Sequence, residues 1–272
     1  MYDFLPHDYK ALSTDKSLQQ FLTKDGALYM VLNRPEVRNA FNGELIEQLL
    51  LALNTAAENE QVRSLILTGS GDNFCAGGDI NYMRSLGINS FEENKEDALN
   101  MAYLMQALHE FPKPTIARVN GAAFGGGVGL LCCCDMAFGT PTTKICLSEV
   151  KIGMVPATIG PYVLKAIGVR NAHRLMLTGE VMQGQAAVEH LLLTQLIEEE
   201  KFDSFFHDLC KKINRNAPEA TKISKALLLN ITYQPINKGV VDYTAEVIAN
   251  VRASEEGKEG LAAFLEKRKP KF

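Results

Sequence analysis

The sequence has neither a long apolar run nor a cluster of positive charge. None of its 272 residues falls in an uninterrupted apolar stretch of about 18 residues, so a membrane-spanning helix is not expected. The 28 basic and 32 acidic side chains give a net charge of −4. Because neutralising phosphates requires clustered positive charge, this balance argues against nucleic-acid binding as the main function.

Cysteine is also sparse, and the six cysteines are too few for a disulfide scaffold. Three of them are consecutive: Cys132, Cys133 and Cys134. Consecutive side chains on a helix or a strand point in different directions, so the three cannot converge on one metal ion. We therefore expect the cysteines to be packing residues of a protein in a reducing compartment. We expect no metal ion and no separate cofactor.

Targeting signals are missing from both ends of the printed sequence. The N-terminal segment MYDFLPHDYK has no apolar core of signal length, and the ending KRKPKF matches no prenylation or peroxisomal signal. We expect a cytoplasmic protein. Its composition, 46% hydrophobic and 22% charged, is ordinary for a globular protein with a sizeable core.

Strands and helices alternate in the first 160 residues. Apolar strands are predicted at 27–33, 64–68 and 115–120, with helices after Asn42 and over 91–111. This order predicts an α/β fold with a parallel sheet covered by helices. Short strands are expected at 136–139 and 144–147. Beyond Gly160 nearly every segment has helical spacing, and the final helix is predicted to run from Glu255 to Arg268.

Two glycine-bearing loops follow predicted strands, where open α/β sheets bind ligands. One is FCAGGDI, residues 74–80, and the other is the glycine triplet at 125–127. Two backbone N–H groups aimed at one carbonyl oxygen would form an oxyanion hole, in which each donor contributes about 3 kcal/mol. Tight turns and close helix packing explain the glycines equally well. The spacing GGGVG does not fit the dinucleotide motif, and no phosphate-binding loop motif occurs.

Five sequence blocks occur in the order of a known family. They are LNRP followed by RNAFN, then FCAGGDI, VNGAAFGGGVGLLCCCD, SEVKIGMVP and EGLAAFLEKRKPKF. Together they resemble the crotonase superfamily of enoyl-CoA hydratases and isomerases, over about residues 19–272. The resemblance implies a spiral of ββα units, residues 1–195, and a C-terminal helical region, residues 196–272, that builds homotrimers or dimers of trimers. It also implies acyl-CoA binding and a thioester enolate.

The resemblance assigns candidate site residues by position. The two oxyanion donors fall on Gly78 and Gly126. Positions that line the coenzyme A site in the family fall on Val37, Arg38, Ala76, Gly78, Asp79, Ile80, Phe264 and Lys267. The last two match residues that reach a neighbouring subunit's coenzyme A. Arg38 could instead be a solvated loop cation, and Phe264 and Lys267 an exposed ring and base on the last helix.

The acidic positions depart from the usual hydratase pattern. Family hydratases commonly place two glutamates around the bound water. The second is present as Glu149, but Gly129 stands where the first is expected. Since glycine cannot transfer a proton, Glu149 must perform both proton steps or share them with water or another group. Burial near a thioester would raise the pKa of Glu149 and suit it to reversible proton transfer.

A second departure is the segment PATIGPY, residues 156–162. With GGGVGL it looks like the bacterial branch of methylglutaconyl-CoA and carboxygeranoyl-CoA hydratases, which act in leucine and acyclic terpene breakdown. Thr158 and Tyr162 are then candidates to face the acyl chain, although a threonine at a helix start more often caps its own backbone.

These features together predict an enoyl-CoA hydratase that acts on a branched or carboxylated 2-enoyl-CoA. Gly78 and Gly126 would polarise the thioester carbonyl, and Glu149 would be the acid and base. A single glutamate is equally the pattern of Δ3,Δ2-enoyl-CoA isomerases. A non-catalytic acyl-CoA-binding protein is the third alternative.

Overall fold

The computed structural model describes residues 2–272. Its strands are β1 (Tyr9–Thr14), β2 (Leu18–Thr23), β3 (Ala27–Leu32), β4 (Ser64–Gly69), β5 (Asn73–Cys75), β6 (Thr115–Val119), β7 (Ala122–Phe124), β8 (Met136–Gly139), β9 (Lys144–Cys146), β10 (Met182–Gln183) and β11 (Gln195–Leu196). Its α-helices are α1 (Gly43–Glu58), α2 (Ile80–Leu86), α3 (Phe91–His109), α4 (Gly126–Cys133), α5 (Gly160–Thr178), α6 (Gln185–Glu189), α7 (Phe202–Asn214), α8 (Pro218–Ile231), α9 (Lys238–Ala253) and α10 (Glu255–Leu265).

The larger sheet has the strand order β1-β2-β3-β4-β6-β8-β11. Its first three strands are antiparallel, and those from β3 onward are parallel. Every residue of β3 and β4 is buried, as expected for central parallel strands covered on both faces. Because these strands are parallel, their carboxyl ends lie at the same edge of the sheet. The segments after β3 and β4 both begin at that edge.

A smaller sheet of short strands lies beside the larger one, in the order β10-β9-β7-β5. Strands β5, β7 and β9 run parallel, whereas β10 pairs with β9 in the antiparallel direction. The chain passes directly from β7 into α4 and from β9 into a 3-10 turn over Glu149–Ile152. This sheet therefore determines where Gly126 and Glu149 lie.

Local capping explains several helix starts. The Asn42 side chain accepts a hydrogen bond from the Leu45 N–H at the start of α1. Ser90 and Glu93 form a reciprocal capping box at the start of α3. Such caps satisfy backbone N–H groups that a first helical turn leaves unpaired.

Two hydrophobic clusters cover the two faces of the larger sheet. The larger cluster joins one face to α1, α3, α4 and α5. The smaller one includes Tyr29 and Ile66 from the sheet and Phe202, Phe206 and Cys210 from α7. Residues 196–214 thus pack on the sheet, and the boundary expected near residue 195 stays a prediction.

Most of the secondary-structure elements predicted from the sequence are present in the structure. The predicted α/β class, the strands at 27–33, 64–68 and 115–120, and the helices over 91–111 and beyond Gly160 are confirmed within a few residues. The predicted parallel sheet is present from β3 onward, and β1 and β2 add an antiparallel hairpin to one edge. The last helix ends at Leu265 instead of Arg268.

The described chain, residues 2–272, has no membrane-spanning helix and no metal-binding cluster. Within that range, none of the helices has both the length and the apolar character needed to cross a bilayer. The same residues contain no group of three or more His, Cys, Asp or Glu side chains placed to hold a metal ion. Cys132 and Cys133 are buried in α4, and all three consecutive cysteines are free thiols.

Candidate active site

The loop after β3 is held in place by Asn39. This residue is fully buried and has a left-handed backbone, with φ of 56°. Its Oδ1 atom accepts from the Arg34 N–H at 2.9 Å, and its Nδ2 donates to the carbonyls of Ser70 at 2.9 Å and Asn73 at 2.7 Å. Asparagine tolerates positive φ better than most residues and offers both a donor and an acceptor. One side chain therefore fixes this loop against the segment between β4 and β5.

Phe41 then pairs with the glycine loop that follows β5. The Phe41 N–H donates to the Gly77 carbonyl at 2.7 Å, and the Asp79 N–H donates to the Phe41 carbonyl at 2.8 Å. In a trans peptide the C=O and the next N–H point in opposite directions. Because the Gly77 carbonyl faces Phe41, the Gly78 N–H faces away from it. That N–H donates no hydrogen bond to any of the residues 2–272.

The same reasoning applies to the start of α4. The Gly125 carbonyl accepts from the Val128 N–H at 2.8 Å and so points into the helix. The Gly126 N–H therefore points out of the helix N-terminus, where the helix dipole is positive. Across the described chain it has no hydrogen-bond acceptor. Gly125 has φ of 52° and ψ of −122°, a conformation open essentially to glycine alone.

These two peptide segments are in contact. A Cβ atom at Gly77 would lie 3.7 Å from the Cα atom of Gly125, and a Cβ at Gly125 would lie 3.7 Å from the Cα of Gly77. Gly77 also has positive φ, 89°. The two unpaired N–H groups of Gly78 and Gly126 each follow one member of this contact. The structure thus brings the two predicted oxyanion donors into one site.

Glu149 lies beside the same contact. A Cβ atom at Gly125 would lie 3.4 Å from Oε1 of Glu149. The side chain is half-buried, and its Oε2 atom is buried with no hydrogen-bond partner among residues 2–272. Burial raises the pKa of Glu149 above its ordinary value of 4.5, against a smaller lowering by its own backbone N–H. A carboxylate with a raised pKa holds a proton more readily than an ordinary glutamate and can return it.

The position where the resemblance expects a second acid is apolar. Gly129, where the resemblance places the first glutamate, faces Ile159. A Cβ at Gly129 would lie 2.2 Å from Cγ2 of Ile159 and 3.1 Å from Sδ of Met105. An apolar side chain therefore fills the position of the missing acid.

Several predicted coenzyme A residues lie around this centre. The Ala76 N–H donates to the Arg38 carbonyl at 3.0 Å, which joins the two loops. Val37 and Ala76 are half-buried, Arg38 and Ile80 are exposed, and Ile80 begins α2. Contact of these residues with coenzyme A stays a prediction.

Asp79 is buried and caps the N-terminus of α2. Its Oδ1 accepts from the Asn81 N–H at 2.8 Å and its Oδ2 from the Arg34 guanidinium at 2.8 Å. Burial disfavours its ionisation, but these hydrogen bonds outweigh that effect and lower the pKa of Asp79 below its usual value of 3.8. Asp79 therefore has a structural partner, Arg34, that the sequence analysis did not identify.

Phe264 and Lys267 lie at the C-terminal end of the chain and not in the glycine loops. Phe264 is exposed on α10, which packs against α8 and α9, and Lys267 follows the end of that helix. Their proposed contact is with a neighbouring subunit's coenzyme A, and it stays a prediction.

Thr158 precedes α5, whereas Tyr162 lies in the first turn of that helix. Thr158 is half-buried and does not cap α5, because the N-cap position is Ile159. Tyr162 stacks edge-on against His109 with ring centroids 5.2 Å apart. That either residue faces the acyl chain is still a prediction.

The sequence analysis missed methionines near the glycines. A Cβ at Gly78 would lie 3.0 Å from Cγ of Met83, and a Cβ at Gly126 would lie 3.9 Å from Cε of Met101. Methionine is flexible and fills irregular apolar space. Its spacing on α3 resembles that of an ordinary amphipathic helix, so no signal in the sequence separated Met101 from core residues.

Comparisons with known proteins show which family this chain resembles. A family model described as Enoyl-CoA hydratase/isomerase matches residues 23–272. The chain is 33% identical over 243 residues to a Thermus thermophilus protein described as an enoyl-CoA hydratase, covering 89% of this chain and 95% of the relative. It is 30% identical over 248 residues to 2,3-dehydroadipyl-CoA hydratase of Escherichia coli, covering 90% of this chain and 94% of that one.

A solved structure has nearly the same fold. An enoyl-CoA hydratase from Shewanella pealeana superposes with a TM-score of 0.90 at 41% identity, covering 94% of this chain and 96% of the other.

Proposed function

The chain belongs to the enoyl-CoA hydratase/isomerase family, and we propose that it is a hydratase that adds water to a branched or carboxylated 2-enoyl-CoA. The observation that supports this most strongly is the position of Glu149 beside the contact between the Gly78 and Gly126 segments. Two free N–H donors and one proton-accepting carboxylate are the minimum that the reaction needs.

The glycine donors act on the thioester. When the nucleophile adds to the β-carbon, negative charge moves to the thioester oxygen as an enolate. The Gly78 and Gly126 N–H groups donate to that oxygen, and each donor contributes about 3 kcal/mol to the transition state. Because both N–H groups are held by backbone hydrogen bonds of their neighbours, little reorganisation accompanies the reaction.

Glu149 carries the proton. Its carboxylate accepts a proton from water as the water oxygen bonds to the β-carbon and the C=C π electrons move toward the thioester. The neutral acid then returns the proton to the α-carbon of the enolate. One carboxylate completes the cycle, and its raised pKa keeps both forms accessible.

The proposed substrate class rests on sequence likeness and on the apolar wall. The segments GGGVGL and PATIGPY resemble hydratases of branched, carboxylated enoyl-CoA, and the E. coli relative is named for a dehydroadipyl-CoA substrate. Ile159 and Met105 place apolar atoms where an acid is expected. This replacement offers an apolar surface to a branched acyl chain at that position.

The isomerase is the second candidate. Moving a double bond between the 3 and 2 positions needs only one carboxylate to remove and return a proton, and Gly129 stands where the other acid of hydratases is expected. The isomerase would use the same two N–H donors, so the products separate the two activities.

We also propose a homotrimer or a dimer of trimers. Exposed apolar side chains on the C-terminal helices support it: Leu228, Val241, Ile248, Leu261 and Phe264. Burying such side chains between subunits is favourable. The cytoplasmic location and a place in leucine degradation stay predictions.

The test uses the purified full chain with crotonyl-CoA, 3-methylcrotonyl-CoA, 3-methylglutaconyl-CoA and a 3-enoyl-CoA. Loss of conjugated-thioester absorbance, fastest with the branched or carboxylated substrates, supports the proposal. Conversion of the 3-enoyl-CoA alone identifies an isomerase. Binding of all four thioesters without turnover identifies a non-catalytic acyl-CoA-binding protein.

A further inference from the structure

A buried ion pair joins the two loops that position the Gly78 donor. The Arg34 guanidinium donates from Nη2 to Oδ2 of Asp79 at 2.8 Å and from Nη1 to the Ala40 carbonyl at 2.6 Å. The side chains of Arg34 and Asp79 are 15% and 8% exposed. Arg34 belongs to the loop after β3, whereas Asp79 lies near the end of the glycine loop that follows β5.

The two acceptors of Arg34 flank the backbone pairing that directs Gly78. Ala40 directly precedes Phe41, and Asp79 directly follows Gly78. Phe41 hydrogen-bonds to Gly77 on one side of Gly78 and to Asp79 on the other. A movement of either loop would therefore rotate the Gly77–Gly78 peptide.

Glycine by itself cannot hold such a peptide. Gly77 and Gly78 have the backbone freedom of glycine, which restricts φ and ψ least. An oxyanion donor, however, must be held pointing at the thioester oxygen. Arg34 and Asp79 are 45 residues apart in sequence, so only contacts between their two loops can hold the Gly77–Gly78 peptide in that orientation. The Arg34–Asp79 pair is such a contact.

Charge gives a second reason for the pair. Asp79 is the residue next to Gly78, and without a partner its carboxylate would oppose the negative charge that develops on the thioester oxygen. Such opposition is strong where water is excluded. The guanidinium neutralises this carboxylate with a directional hydrogen bond.

We propose that Arg34 is a positioning residue for the thioester chemistry, because its bonds to Asp79 and Ala40 fix the Gly78 N–H and neutralise the adjacent carboxylate. This inference rests on the proposed function. Arg34 itself touches neither the reacting atoms nor the Gly78 N–H. Its effect passes through Asp79 and the Phe41 pairing.

The experiment compares wild type with Arg34→Met, Arg34→Lys, Asp79→Asn and the double variant Arg34→Met/Asp79→Asn. Each is assayed for kcat and KM, and its thermal midpoint is recorded. The infrared carbonyl stretch of bound butyryl-CoA, labelled with carbon-13 at the thioester carbon, reports how strongly the donors polarise the carbonyl. Butyryl-CoA has no double bond and therefore does not react.

The expected result is a loss of polarisation together with a loss of rate. In Arg34→Met, kcat falls about 10- to 100-fold with KM changed less than about threefold, and the carbonyl stretch moves toward its value in solution. Arg34→Lys restores part of both, since it keeps the charge but loses the two-pronged geometry. The double variant recovers activity relative to Arg34→Met, because the unpaired carboxylate is gone.

Lys225→Met is the matched control. Lys225 is buried and forms an ion pair with the exposed Asp135 at 2.8 Å, beside Thr115 at the start of β6. Its loss lowers the thermal midpoint and leaves the carbonyl stretch unchanged. If Arg34→Met behaves like this control, Arg34 is only structural and the inference is overturned. Should Arg34→Met not fold, Arg34→Lys and Asp79→Asn decide by the same readouts.

Failure of the proposed function gives a different result. Wild type would then neither polarise the butyryl-CoA carbonyl nor convert any enoyl-CoA. A wild-type enzyme that does both, with an unaltered carbonyl stretch in the Arg34 and Asp79 variants, overturns the positioning role alone.

Discussion

Ile159 occupies the space that any side chain at position 129 would need. A Cβ atom at Gly129 would lie 2.2 Å from Cγ2 and 2.8 Å from Cβ of Ile159, a side chain that is 2% exposed. The two departures from the common hydratase pattern are thus one structural feature. The first glutamate is absent, and a residue of the segment before α5 has taken its place.

This contact predicts that even a methyl group at position 129 destabilises the fold. Gly129→Ala should lower the free energy of unfolding by about 1–3 kcal/mol, because overpacking a core forces its neighbours to shift. Urea denaturation measures it. Gly160→Ala is the control, since a Cβ there meets only Met176 Cε at 4.0 Å.

A double variant separates the Ile159 contact from other strain. In Gly129→Ala/Ile159→Ala, the added methyl group has room, so the combined loss should be smaller than the sum of the two single losses. Additive losses would mean that Ile159 is not what excludes a side chain at Gly129.

Glu149 should make the stability of the protein depend on pH. Burial raises its pKa in the folded state above the ordinary value of 4.5, so the folded protein binds this proton more tightly than the unfolded chain. Stability due to this group is full below pH 4.5 and falls as the pH rises through the raised pKa. Glu149→Gln should therefore be more stable than wild type at pH 8, with the gain vanishing in acid.

Urea unfolding of both proteins across a pH series measures this difference. Glu200→Gln, at an exposed position, serves as the control for removing a negative charge. A gain in Glu149→Gln that is the same at every pH would contradict a buried, proton-holding Glu149.

Substitution of Asn39 should destabilise the fold more than substitution of most other polar residues. Asn39→Ala leaves the Ser70 and Asn73 carbonyls without their donor and places alanine at positive φ, so the free energy of unfolding should fall by about 3 kcal/mol or more. Asn39→Gly should recover about 1 kcal/mol of this loss, because glycine adopts that backbone without strain.

The control for Asn39 is Asn54→Ala on the exposed side of α1, which should change stability little. Equal losses in Asn39→Ala and Asn39→Gly would show that the hydrogen bonds alone matter. A loss near zero in Asn39→Ala would contradict the role of this residue in holding the loop.

The buried cysteines should react slowly in the folded protein. Burial raises the pKa of the Cys75 and Cys132 thiols to about 12, and the thiolate is the form that reacts with alkylating reagents. At pH 8 iodoacetamide should label neither at an appreciable rate until the protein is unfolded in urea. Mass spectrometry of the peptides identifies the labelled positions, and rapid labelling of either thiol in the folded protein would contradict its burial.

The sequence predicted the elements whose apolar pattern is long enough to read. Strands β3 and β4 are buried throughout, and α1 and α3 have clear caps, so pattern and structure agree there. The edge strand β1 has no buried residue and no apolar alternation, and it was missed. Strands β5, β7 and β10 have only two or three residues, too few for any periodicity.

The candidate site was predicted through its motifs, whereas its supporting contacts were not. Gly78, Gly126 and Glu149 lie in recognisable blocks, and the structure brings their segments together. Contacts such as Gly129 with Ile159 and Arg34 with Asp79 join residues 30 and 45 positions apart, and depend on how the loops pack. A single sequence contains no periodic signal for such pairs.

The most direct test of the account follows oxygen-18 from labelled water into the product. Wild type with 3-methylglutaconyl-CoA should give a hydrated product that contains one labelled oxygen. Glu149→Gln should form it about 10²–10⁴-fold more slowly while binding the substrate with similar affinity. A product without the label, or a Glu149→Gln variant as fast as wild type, would contradict hydration by a single carboxylate at Glu149.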